Sequence, residues 1–474
     1  MADIESTPLL VTTTTTTTDS NGGYSDDINI DNSYDNNTTT SNIEEKSSTT
    51  QTCLNLIKIM IGTGVLAIPF AATQGGLIFH IIGLAVVTIW NSYSVYCLDR
   101  SKIYIDTNTT MTDSYKKTIP KNTSTFGLIT WHAFGTVALH CIDFVFGVFM
   151  FGLLIAYEDA ILGFAADTPL TTGHKRNDAT CLLIVLLPIL TMKDYSAISK
   201  ISAFGTSILF AIFGMIAIYG LQQHGFDGFD TTTFCDRLNL YPASFTAFSN
   251  WFGVAAFSFG IVPFVYSVQG SMQQPTKLMP TMNIALLVAF VAYVIMGDLI
   301  SIIFVDGIHG DVLSVLPIDT LLPSTLRFGM ILTIISSIPL ILIPLSELVY
   351  DKLIANNNMD KKNDTTTNNK NKHLLIIRIV IAIACAIVSV EVPNFIYVIS
   401  FLGCCCNAAI SFAFPPLLHV QCYKKFVSSG QQPKKPSKYY TLDLVLIVLG
   451  TLVSAFSSVL TFKSMMEQIR NSTA

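Results

Sequence analysis

Runs of twenty and more apolar residues recur along this chain, and no other feature limits its fold as much. The stretch "MNIALLVAFVAYVIMGDLISIIF", residues 282–304, holds a single charged side chain. A helix of about 20 such residues crosses the hydrocarbon core of a bilayer. Eleven segments read this way, near 52–72, 76–98, 132–165, 179–192, 199–221, 247–270, 281–304, 324–350, 374–391, 394–419 and 441–462. The third is long enough to tilt or to include an interfacial turn, and the fourth is short and carries Pro188. Only 12% of the 474 residues are charged, against about 25% in soluble domains. Mean hydropathy is +0.53. The fold class is therefore an all-α polytopic membrane protein.

Polar tracts bracket and interrupt the spans. Residues 1–50 are rich in Thr, Asn, Asp and Ser and read as a disordered tail. A similar loop occupies 351–373, and 463–474 reads as a short C-terminal tail. With the N-terminus cytoplasmic, the eleven spans place 20 of the 27 Lys and Arg on the cytoplasmic side and 6 on the other, leaving Lys58 inside the first span. That asymmetry follows the positive-inside rule. The net charge of −5 gives no indication of a nucleic-acid partner. Ten cysteines show no metal-site spacing, and Cys404, Cys405 and Cys406 read as small core residues rather than ligands. Cys181 and Cys235 both fall near the outer face, where pairing is open to them.

Two spans carry helix breakers near their centres. The first contains "IGTGVLAIPF" (61–70) and the sixth "FSFGIVPFVYSVQG" (257–270). Inside lipid every backbone N–H and C=O needs a partner within the protein, so an unwound segment survives only where it faces a cavity or a ligand. Spans one and six open two sets of five, with the eleventh left over. This is the pattern of an inverted repeat whose discontinuous helices hold a solute near the midplane. A second reading stands beside it, in which the glycines serve close helix packing.

At these residues the sequence resembles the amino acid/auxin permease family. The resemblance runs from about 51 to 462. It rests on "NLIKIMIGTGVLAIPFAATQGG", "LPILTMKDYSAISKISAFG", "FSFGIVPFVYSVQGSMQQP", "YVIMGDLISIIF" and "VEVPNFIYVISFLGCCCNAAISFAFPPLLHV", in that order. It implies a LeuT-type five-plus-five fold with an extra C-terminal helix, alternating access, and gradient-driven transport of amino acids across the plasma, lysosomal or vacuolar membrane. Carried over by position, Gly62, Thr63 and Gly64 offer backbone groups to the substrate carboxylate, and Phe259 and Gly260 form the facing break. Ser337 matches a hydroxyl that sodium-coupled members offer to the ion. Lys58 stands where those members tend to have Asn and where the proton-coupled branch places Lys. That branch's His is absent from "NLIK", and its Glu in the sixth span is Gly260 here. The resemblance leans to the proton-coupled branch, with H⁺ as the coupling ion and Na⁺ as the alternative. No cofactor is implied.

Charge inside a span costs about 2.5–3.5 kcal/mol on insertion scales and needs a reason. Lys58 reads either as a fixed cation in place of sodium or as a side chain snorkelling to the interface. Asp143 is expected to pair with a neighbouring helix. Glu158 and Asp159 are candidate proton carriers or an interfacial pair, and their directions differ by about 100°, so at most one faces a pathway. Tyr157 beside them is a candidate substrate contact, and Asp298 and Glu391 are weaker charged candidates.

Enzyme chemistry finds no support in the sequence. The His residues do not cluster, no phosphate-loop motif occurs, and the spans hold no hydrolytic constellation. The main competitor to a transporter is a sensor that binds an amino acid and signals through its tail. Neither the particular amino acid nor the oligomeric state follows from these residues.

Overall fold

The computed structural model describes residues 47–108, 124–191, 196–225, 239–304, 313, 316–317, 321–352, 367–392, 394–428 and 440–473. The described chain is helical apart from one isolated bridge between Ser47 and Met272. In order come α1 (Thr49–Met60), α2 (Ile68–Gly75), α3 (Leu77–Asn108), α4 (Thr125–Phe134), α5 (Thr136–Ala166), α6 (Lys175–Leu190), α7 (Ser196–His224) and α8 (Phe245–Ser258). They are followed by α9 (Val265–Ser271), α10 (Leu278–Ile303), α11 (Leu321–Tyr350), α12 (Thr367–Glu391), α13 (Phe395–Leu402), α14 (Phe414–Ser428) and α15 (Tyr440–Thr473). Among the described residues eight helices are long and apolar enough to cross a membrane, and the bent pair α1–α2 makes nine. The apolar helices α6 and α7 occupy the fourth and fifth positions, so about eleven crossings agree with the sequence.

Several boundaries move. The expected third span at 132–165 is two helices joined at Gly135, whose φ of +85° suits glycine and turns the chain. The expected tail to residue 50 is ordered from Ser47. There Ser48 caps α1 in a reciprocal capping box with Gln51, and the tail before Ser47 lies outside the described residues. The polar loop begins to coil earlier than expected, since α12 starts at Thr367. The C-terminal tail is not a separate tail: α15 runs on to Thr473. Helix-forming residues fill that stretch, Lys463 and Glu467 face one another at 3.8 Å, and Gln468 Nε2 donates to Tyr397 Oη at 3.1 Å.

The core lies between the broken spans and their neighbours. The sixth span, α8, packs on α2 of the first span, on α13 of the tenth and on α15. The third span, α5, packs on α11, α12 and α13. Lipid-facing positions are apolar, as at Ile387, Leu452 and Val459, which are 66%, 63% and 68% exposed. Between α13 and α14 the chain loosens into two π-helical segments, 403–407 and 409–413, which place Cys404 and Cys406 inside and Cys405 outside. Cys235 lies outside the described residues, so its pairing with Cys181 does too.

The closest backbone approach is between α8 and the start of the π segment. A Cβ on Gly403 would overlap the carbonyl of Gly253, and one on Gly253 would overlap that of Ser400. Gly403→Ala is therefore expected to cost at least the ~1–3 kcal/mol of an overpacked core. It should abolish the monodisperse peak of the detergent-solubilised protein in size-exclusion chromatography. Gly214→Ala, where a Cβ meets nothing within 4 Å, should leave that peak intact.

Candidate functional site

Both centrally weakened spans are broken in the structure, and the two breaks face each other. The α1 helix stops at Met60, and Gly62 N turns back to Met60 O at 2.8 Å. A 3₁₀ stretch, Thr63–Ala67, leads into α2. The two halves are bent by 46°. Pro69 near the start of α2 has no N–H to donate, so it ends the upstream hydrogen-bond ladder at no loss to its own helix. The sixth span repeats the plan. The α8 helix ends at Ser258, Gly260 N bonds Phe257 O at 3.0 Å, and a 3₁₀ turn, Val262–Phe264, containing Pro263, precedes α9.

Each break releases carbonyls that an unbroken helix would satisfy, and side chains take them up. Tyr293 of α10 is fully buried, and its Oη lies 2.7 Å from Met60 O and 2.9 Å from Ser258 O. One hydroxyl proton thus serves the first-span break and the sixth-span break together. Ser258 Oγ donates across the gap to Gly64 O at 3.3 Å. On the other side Asn407, buried in the first π segment, donates through Nδ2 to Ala256 O. Its Oδ1 accepts from Ser411 Oγ at 3.3 Å. The π-helical loosening aims this amide at the break, a frequent use of such segments.

The structure brings Gly62, Gly64, Phe259 and Gly260 into one place. The backbone of Thr63 is there as well, while its side chain lies outside what is described. Thr63 and Gly64 open the 3₁₀ stretch, positions whose amides have no partner within their own helix. The Phe259 ring is buried edge-on against Tyr293, centroids 5.0 Å apart. The glycines differ in tightness. A Cβ on Gly64 would lie 3.1 Å from Phe257 Cδ1 and from Ser258 Oγ, and one on Gly260 2.8 Å from Phe257 O. On Gly62 the nearest atom is Ile59 O at 3.6 Å, an ordinary contact.

The remaining candidates are more distant. Lys58 is half-buried one turn before the break on α1. Phe149 of α5 touches Phe257 of α8, ring centroids 6.0 Å apart. Tyr157, Glu158 and Asp159 follow roughly 12 Å further along α5 at 1.5 Å per residue. Tyr157 is half-buried there. The carboxylates diverge as their helical spacing requires. Asp159 accepts from Lys175 Nζ at 2.7 Å beside a cavity. Glu158 is 2% exposed, and its Oε2 has no hydrogen-bond partner among the described residues. Asp143 pairs with Lys352 at 2.7 Å, which joins α5 to the residues just after α11. Glu391 is exposed and lies 3.7 Å from Arg176. Asp298 is buried on α10 with neither oxygen partnered among the described residues. Ser337 Oγ donates to Thr333 O of its own helix at 3.0 Å, which leaves its lone pairs to accept.

Sequence reading missed Tyr293, Ser258, Asn407 and Lys175. Tyr293 and Asn407 stood inside quoted motifs, and a polar side chain in an apolar span was the available signal. Without the neighbouring helices, nothing assigned them to these carbonyls.

Two discontinuous spans that meet at a polar centre are an arrangement also used by secondary transporters. The profile described as "Transmembrane amino acid transporter protein" matches residues 45–463, and the chain belongs to that family. It is 24% identical over 88% of its length to Vacuolar amino acid transporter 3 of Saccharomyces cerevisiae, and spans 57% of that protein. The corresponding protein of Schizosaccharomyces pombe is 23% identical, again with 58% of its length spanned. The chain thus covers little more than half of these relatives. It is also 22% identical to Neutral amino acid transporter 9 of Rattus norvegicus, over 85% of this chain and 78% of that one.

Removing the Tyr293 hydroxyl leaves one released carbonyl short of a donor inside the membrane. Tyr293→Phe is expected to destabilise by about 1–3 kcal/mol, read as a fall in Tm in detergent. An unchanged Tm would show that both carbonyls are satisfied without it.

Proposed function

We propose that this chain moves amino acids across a membrane by alternating access, with its substrate held between the breaks of spans one and six. The supporting observation is the pairing of the breaks through Ser258 and Tyr293, which gathers free amides and released carbonyls at one point. The Thr63 and Gly64 amides suit an α-carboxylate, and carbonyls at the ends of α1 and α8 suit an α-ammonium. The five-plus-five repeat of a LeuT-type fold accords with the packing: first span meets sixth, and third meets eighth, at matching places in the two halves. The names of the fungal relatives favour a vacuolar membrane.

We assign the coupling ion as H⁺. Glu158 is the carrier, because a buried carboxyl whose Oε2 meets no donor among the described residues takes up a proton when sealed from water and releases it when water returns. Asp159, already paired with Lys175, is less suited. Lys58 supplies the fixed positive charge that sodium supplies elsewhere. Sodium coupling through Ser337 is the competing assignment.

Purified protein in proteoliposomes should accumulate labelled neutral amino acids under an imposed pH gradient and not under a sodium gradient. Gly64→Leu should abolish uptake, since the added side chain enters Phe257 and Ser258, whereas Gly62→Ala should be tolerated. Glu158→Gln should retain counterflow exchange and lose pH-driven accumulation. Accumulation under sodium alone would overturn the proton assignment. Binding without accumulation under either gradient would establish the sensor reading instead.

A further inference from the structure

A cavity of about 380 Å³ opens beside the C-terminal half of α5, at the end that charge asymmetry places away from the cytoplasm. Asp159 and Phe164 of α5 line it, with Lys175 and Asp178 in the first turn of α6, Thr171 on the connecting turn, and Phe395 at the start of α13. That volume falls within the usual ~300–1,000 Å³ of small-ligand sites.

The polar groups of the cavity divide into two sets. Asp178 is fully engaged: Thr171 Oγ1, Thr172 N and Thr172 Oγ1 all donate to it at 2.7 Å. Burial alone would raise its carboxyl, but these donors outweigh it and hold the group below the ordinary range, so it stays charged and fixes the turn. Asp159 and Lys175 are different. They form one ion pair, Nζ to Oδ1 at 2.7 Å, at the cavity wall. The Asp159 side chain is only 4% exposed, while Lys175 is 35% exposed and also donates to Val392 O. Beside them Phe164 and Phe395 pack edge to face, centroids 6.0 Å apart, as an apolar wall. An ammonium and a carboxylate side by side, with an apolar surface adjoining, mirror the groups of a zwitterionic amino acid.

We propose that this cavity is a second amino acid site, an outer vestibule in which Asp159 takes the α-ammonium and Lys175 the α-carboxylate of a zwitterion with an apolar side chain. Binding exchanges one internal ion pair for two charge-assisted contacts, so no charge is left unpaired. The same exchange detaches α5 from the start of α6. The inference rests on the reading of the chain as an amino acid transporter.

The test is equilibrium binding of labelled L-leucine to the purified full chain in detergent, alongside leucine uptake in proteoliposomes. The wild type should bind two leucines per chain. Lys175→Gln and Asp159→Asn should each bind one and raise the KM for uptake by about tenfold, the scale of one lost charge-assisted contact, with Vmax retained. Lys175→Arg should keep both sites, and L-leucinamide, which lacks the carboxylate, should compete only at the central one. Gly64→Leu should bind one leucine and transport none. A single site in the wild type, or two sites and an unchanged KM in Lys175→Gln, would overturn the vestibule while leaving transport standing. Two sites with one lost in Lys175→Gln, but no uptake by the wild type, would uphold the vestibule and overturn the transport reading.

Discussion

A backbone amide or carbonyl buried in a bilayer has no water to turn to, and this molecule is organised around that debt at two places. Breaking a spanning helix frees several such groups at once, each worth several kcal/mol if left alone. Here the breaks are placed together, so one tyrosine hydroxyl reaches a released carbonyl from each and a serine of one span reaches a carbonyl of the other. The remaining side of the gap is served by an asparagine on a third span, presented by a locally widened helix. The amides opening the 3₁₀ stretch at Thr63 are not among the groups these side chains serve.

The dependence runs outward from there. Tyr293 holds its position because α10 packs along α1, α2 and α3. Asn407 holds its position because Gly253 and Gly403 allow α8 and the tenth span to touch backbone to backbone. The charged pairs sit further out, where they tie elements together: Asp143 with Lys352, Asp159 with Lys175, and buried Arg327 with the carbonyls of Leu313, Leu316 and Pro317. The polar middle is therefore made mostly of backbone, and neutral side chains tune it.

How much of this the residues announced depends on the kind of signal. Spans were legible because hydropathy over about twenty residues is a sum, tolerant of individual exceptions. The breaks were legible because Gly and Pro act on their own backbone, so "IGTGVLAIP" declares its weakness without reference to any neighbour. Ends of helices were less so. Gly135 divides what read as one span, and the polar stretch after residue 462 continues α15, because helix ends depend on caps and on contacts such as Gln468 with Tyr397. Least legible were the partners. That Asp159 would find Lys175, sixteen residues on, while Glu158 Oε2 would find no donor among the described residues, depends on how the α5–α6 turn folds back, and no periodicity encodes that.

The small bridge at the start of the described chain has a mechanical meaning. Ser47 N bonds Ser271 O at 2.8 Å, and Gln273 N bonds Ser47 O at 3.0 Å. These two bonds fasten the beginning of α1, one half of the first broken span, to the end of α9, one half of the sixth. Each half-helix is hinged at its inner end by its own break and clipped to the other at its outer end. The pair is thus coupled like a single lever with two pivots, and a displacement of one half-helix is carried to both hinges at once.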